Sequence, residues 1–129
     1  MLLFLAFFWF ADKVSAETYY PLTDKELELH VKHLIEKEFG TGTPMLKVAY
    51  CESKYKQFNK NGSVHRGKVN DLDAGIFQIN EKYWLKESKK LGLDIHTIEG
   101  NIKMAKHIKE KQGMNAWKPS KNCWGRNYS

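Results

Sequence analysis

The feature that most limits how this chain can fold is its pair of cysteines, Cys51 and Cys123. A bond between them would close a loop of about seventy residues, worth about 4 kcal/mol on the chain-entropy account, and would tie the C-terminal region to mid-chain. Pairing depends on compartment, and the N-terminus speaks to that. Residues 2–11 form an apolar run about half the length needed to cross a bilayer, and Val14-Ser15-Ala16 follows it. This reads as a secretory signal peptide cleaved after Ala16. No Lys or Arg precedes the apolar run, so retention as an anchor is the alternative. In an exported chain an even pair of cysteines is expected to be oxidised. The bridge would pin the segment from Trp117 to Trp124 against the residues around Glu52, which directly follows Cys51.

With residues 1–16 set aside, residues 17–129 suit one domain with one core, and 42% hydrophobic content is enough to fill it. The net charge of +6 selects anionic partners: nucleic acid, phospholipid headgroups, or the carboxylates and phosphates of a bacterial wall. The lysines are scattered and no zinc-finger, homeodomain or RNA-recognition signature is present, so nucleic acid is not expected as a partner. The five histidines match no zinc-ligand spacing with cysteine or with one another, so neither a metal nor a cofactor is expected. Nothing after residue 16 is apolar for long enough to span a membrane.

Thr23-Asp-Lys-Glu26 is a capping-box pattern, and Leu27, Val31, Leu34, Ile35 and Phe39 follow at helical spacing until Gly40, which predicts a helix over 24–39. Thr43-Pro44 starts a second helix running to about Tyr55, with Glu52 near its end. The helical period then fails until Asp73. Asn61-Gly62 marks a hairpin, Gln57–Asn59 against Val64–Gly67. Residues 72–79 return to the core as a strand or as a short turn of helix. Helices are expected over 81–90, and from Thr97 to Gly113 with Ile98, Ile102, Ala105 and Ile108 facing inward. The remainder is aromatic and irregular. The class is α+β, mostly helical, with one small antiparallel sheet beside a cleft.

Two carboxyl groups stand in contrasting settings. Glu52 closes the apolar stretch Met45-Leu-Lys-Val-Ala-Tyr-Cys51, where desolvation disfavours its charged form; Asp73 lies in a polar loop with Asn70 and Asp71, where water keeps it ionised. Carboxyl groups driven apart in pKa can divide acid and base roles. The alternative is that both are ordinary surface acids. Ser53 has no evident His and Asp partners for a nucleophile's role, and capping or orienting Glu52 suits it better.

Cys51-Glu52-Ser53 late in a helix, followed by Gly75-Ile-Phe-Gln78-Ile79, resembles the lysozyme-like superfamily of muramidases and lytic transglycosylases. Asp73-Ala-Gly-Ile-Phe-Gln-Ile-Asn80 and Gly113-Met-Asn-Ala-Trp117 are similar to segments of chicken-type lysozymes. The resemblance implies that Glu52 is the general acid, Asp73 the nucleophile or electrostatic stabiliser, and Trp117 the apolar wall that keeps Glu52 protonated. It further implies that backbone groups at Asn80 and Ala116 hold a sugar acetamide, that Tyr83 and Trp84 stack on sugar rings, and that Gln78 bonds near the reacting centre. The single cysteine pair, Leu85 where chicken-type lysozymes place a cysteine, and a longer interval from Glu52 to Asp73 depart from those enzymes, while Cys51-Glu52-Ser53 with a single late cysteine, Cys123, resembles bacterial soluble lytic transglycosylases. Asp71 is a competing carboxylate.

The implied function is cleavage of the β-1,4 bond between N-acetylmuramic acid and N-acetylglucosamine of peptidoglycan, outside the cytoplasm, by a monomer whose partner is the glycan strand. A non-catalytic wall-docking module on the same fold is the alternative, since charge and the aromatic pair would serve it equally. An antimicrobial acting by charge alone is a third reading.

Overall fold

The computed structural model describes residues 21–126. The expected signal peptide, and Tyr19 and Tyr20 after it, lie outside the described residues. The chain runs through α1 (Asp24–Phe39), α2 (Met45–Ser53), β1 (Asp73–Ala74), β2 (Ile79–Asn80), α3 (Glu81–Lys90), α4 (Ile98–Gln112), a 3-10 stretch (Gly113–Ser120) and α5 (Lys121–Trp124). The fold is the lysozyme-like α+β class, mostly helical with one two-stranded antiparallel sheet. Among the described residues no helix is long and apolar enough to cross a membrane.

Local chemistry accounts for the helix limits. At the start of α1 the Thr23 hydroxyl accepts from Glu26 N at 3.3 Å while Glu26 Oε2 accepts from Thr23 N at 2.8 Å, closing the capping box. Asn80 and Thr97 cap α3 and α4 through bonds from Lys82 N and Gly100 N, both 3.0 Å. Helix α2 stops two residues short of the expected Tyr55, because Lys54 and Tyr55 turn left-handed, with φ of 54° and 63°. Their amides return to Tyr50 O at 2.8 Å and Ala49 O at 3.4 Å, so carbonyls of the last turn stay satisfied.

The core joins Val31 and Ile35 of α1, Met45, Val48 and Ala49 of α2, and Ile102, Met104, Ala105 and Ile108 of α4, with Ile76, Phe77 and Trp117 packed among them. Ile98, expected inward, is only partly buried at the cluster's edge. His30 and His33 on α1 are exposed. Cys51 and Cys123 are bonded, with Cα atoms 6.0 Å apart, so α5 is fastened to the last turn of α2.

The β region differs in part from expectation. Around Asn61-Gly62 the chain does fold back, with Asn59 N to Ser63 O at 2.8 Å and a bridge between Phe58 and Val64, but no longer ladder forms there. The regular pairing lies inside the segment expected to be one strand or one helical turn. Asp73 faces Asn80 and Ala74 faces Ile79, and the chain reverses over 75–78, where Gly75 (φ 72°) and Gln78 (φ 48°) take left-handed conformations. The C-terminal stretch expected to be irregular is 3-10 and then a single α turn.

That reversal is buried, so its peptide groups need partners other than water. Four side chains from four separate segments supply them. Ser53 Oγ donates to Ile76 O at 2.7 Å, and Gln57 Oε1 accepts from Ile76 N at 3.1 Å. Asn101 Oδ1 accepts from Phe77 N at 3.0 Å, and Trp117 Nε1 donates to Phe77 O at 3.1 Å. Ser53 therefore anchors α2 to the turn instead of orienting Glu52.

Candidate active site

Glu52 is partly buried in the last turn of α2, and three effects act on its carboxyl. Burial raises its pKa, the Ser120 hydroxyl donating to Oε1 lowers it, and the charge of Asp73 raises it again; the balance lies above the ordinary 4.5. The direction is the one a general acid needs. Ser120 was not foreseen as a site residue. Its sequence signal is indirect: it lies three positions before Cys123, while Glu52 adjoins Cys51.

Asp73 sits at the start of the hairpin, where Asn80 Nδ2 donates to its Oδ1 at 2.8 Å across the β1–β2 pair. A cleft of about 940 Å³ has Glu52 and Asp73 in its walls, and Gln78, Asn80, Tyr83, Trp84, Ala116 and Trp117 line it too. All eight residues expected at a catalytic or sugar-binding site thus share one groove. Asp71 is exposed and is not among the residues lining that cleft.

Their supports differ. Trp117 is buried, held by its bond to Phe77 O and packed on the Phe77 ring with centroids 5.9 Å apart. Trp84 is half-buried against the core, whereas Tyr83 is 69% exposed, with Lys82 Nζ 5.7 Å from its ring centroid. The Asn80 side chain is spent on capping α3 and on Asp73. Gln78 commits its Nε2 to Gly75 O at 2.9 Å. At another part of the groove Glu87 accepts from Lys111 Nζ at 2.7 Å and pairs with His107 Nε2 at 2.8 Å. Hydrogen bonds from Lys111 and then His107 hold the Glu87 pKa down. Neither Glu87 nor Lys111 was foreseen in the groove.

Trp124 donates from Nε1 to Trp117 O at 3.0 Å. Among the described residues no group of three or more His, Cys, Asp or Glu side chains could hold a metal ion.

No known family profile matches the chain. No solved structure matches it either. Among curated proteins it is similar to Lysozyme C of Dromaius novaehollandiae, 29% identical over 92 residues that cover 61% of this chain and 63% of that protein. It is 32% identical to Lysozyme P of Drosophila melanogaster over 87 residues, 58% of this chain and 62% of that one. Against Lysozyme C, milk isozyme, of Equus caballus the identity is 27% over 103 residues, 70% of this chain and 80% of the relative. The chain spans less than two thirds of the length of the first two. Sequence and architecture together place its likeness with the c-type lysozymes and, more broadly, the lysozyme-like superfamily.

Proposed function

We propose that the chain cleaves the β-1,4 bond between N-acetylmuramic acid and N-acetylglucosamine in peptidoglycan, as a hydrolase acting outside the cytoplasm, with residues 17–129 as the catalytic domain and 1–16 as its export signal. The observation that carries this reading is a carboxyl group with a raised pKa, Glu52, sharing a sugar-sized cleft with a second carboxylate, Asp73. Protonated Glu52 donates to the bridging oxygen, the bond from C1 to that oxygen breaks, and Asp73 stabilises or captures the positive charge left at C1. Water then adds at C1 with Glu52 as base, which restores the acid. Trp117 keeps water away from Glu52, and Tyr83 and Trp84 offer ring faces to the C–H faces of pyranose rings. The c-type lysozymes among its relatives support hydrolysis.

Lytic transglycosylation is the second reading, supported by the likeness of Cys51-Glu52-Ser53 and the single late cysteine, Cys123, to bacterial lytic transglycosylases. One carboxyl group would then act as acid and afterwards as base, while the sugar's 6-hydroxyl closes an anhydro ring. Purified protein incubated with bacterial walls should release soluble muropeptides, and Glu52→Gln should not. Mass spectrometry separates a reducing end from a 1,6-anhydro end, which is lighter by one water. Wall binding without release, unchanged in Glu52→Gln, would favour the docking module and end the enzymatic proposal.

A further inference from the structure

Ser120 opens the α5 turn, where a serine commonly caps the helix with its side chain. Here it makes no such bond. Its Oγ instead contacts Glu52 Oε1 and lies 3.1 Å from Trp117 O. We propose that Ser120 is a positioning residue for Glu52, fixing the rotation of its carboxyl group and giving it a hydrogen-bond partner in both protonation states. The proposal rests on the glycan-cleaving reading above.

The argument begins with the hydroxyl's inventory of one proton and two lone pairs. When Glu52 is ionised, Ser120 donates to Oε1. When Glu52 is protonated on Oε2, that donation persists and the acid's proton is kept off the oxygen that Ser120 occupies. When the proton sits on Oε1 instead, the Ser120 hydroxyl turns to Trp117 O and accepts from Glu52. Trp117 O already accepts from Trp124 Nε1 at 3.0 Å and has a second lone pair for Ser120. Ser120 thus gives the carboxyl group a partner whether or not it carries the proton, which offsets part of the cost of burying its charged form.

Covalent structure reinforces the contact. Glu52 adjoins Cys51, Ser120 lies one helical turn before Cys123, and the bridge joins residues 72 positions apart. Two short arms thus hold a hydroxyl and a carboxyl group that the sequence separates by 68 positions. The electrostatics agree, because the hydroxyl opposes burial and the charge of Asp73, both of which push the carboxyl towards its neutral form. Without it the acid would form but would be slow to release its proton.

The test compares wild type, Ser120→Ala and Ser120→Thr by two readouts. Carbon-13 NMR of labelled glutamate follows the Glu52 carboxyl directly: it should titrate at higher pH in Ser120→Ala and return towards wild type in Ser120→Thr. For wall cleavage, Ser120→Ala should lower kcat by roughly 10- to 100-fold with KM little changed, the loss expected when a reacting group is misplaced. The alkaline limb of its pH profile should also move up, and Ser120→Thr should recover most of the rate. An unchanged Glu52 titration in Ser120→Ala would overturn the proposal, as would a rate loss matched by lost folding and not rescued by threonine. If the glycan-cleaving reading itself fails, wild type and Glu52→Gln are equally inactive, while the NMR titration still reports on Ser120.

Discussion

Replacing Asn101 with alanine tests the idea that buried side chains, not water, hold the active-site hairpin together. Asn101 is fully buried in α4 and makes three bonds to main-chain groups: from Phe77 N at 3.0 Å, to Ala74 O at 2.9 Å and to Ile95 O at 2.8 Å. In Asn101→Ala, Ile95 O keeps Gln57 Nε2 at 3.1 Å and Ala74 O keeps its place opposite Ile79 in the β1–β2 pair, but Phe77 N loses its side-chain partner inside the core. An orphaned buried group costs about 1–3 kcal/mol. One such group and a small cavity give a loss of about 2–4 kcal/mol, a large part of the stability of a domain this size. At 4–8 °C per kcal/mol, that lowers Tm by about 8–32 °C. Urea denaturation followed by tryptophan fluorescence measures it, with the disulfide intact in both proteins. A loss under about 1 kcal/mol would refute the reasoning, because water or main-chain relaxation would then be supplying the partners.

Three further outcomes follow from the same structure. Removing the bridge with Cys51→Ala and Cys123→Ala together should cost about 4 kcal/mol in denaturant, and a change below about 1 kcal/mol would show that packing alone holds α5 on α2. The folded-state pKa of Glu52 lies above the ordinary 4.5 of an unfolded chain, so the stability it contributes is complete below pH 4.5 and is lost as pH rises through the folded value. Glu52→Gln should therefore gain in Tm relative to wild type as pH rises from 4 to 8, and a difference that stays flat would contradict the raised pKa. Tyr83→Ala should weaken binding of N-acetylglucosamine oligomers by about 1 kcal/mol in calorimetry and leave Tm unchanged, since the ring is 69% exposed; undiminished affinity would remove Tyr83 from the glycan platform.

The helices were legible in the sequence because their signals are local. Thr23 and Glu26 sit three residues apart, and the apolar faces of α1 and α4 repeat within one turn, so periodicity and capping bonds set their limits. Glu52 and Asp73 were legible as candidates by residue type and motif, and the bridge by the count of cysteines. What only the tertiary structure decided is where side chains meet main chain across long separations. Ile76 is held by Gln57 from 19 residues away, Phe77 by Trp117 from 40, and Glu52 by Ser120 from 68. Such contacts have no period, and their donors look like any other polar or aromatic residue in the chain. They form because a buried reversal cannot leave its amides and carbonyls unpaired, and the packed core fixes which side chains lie close enough to pair with them.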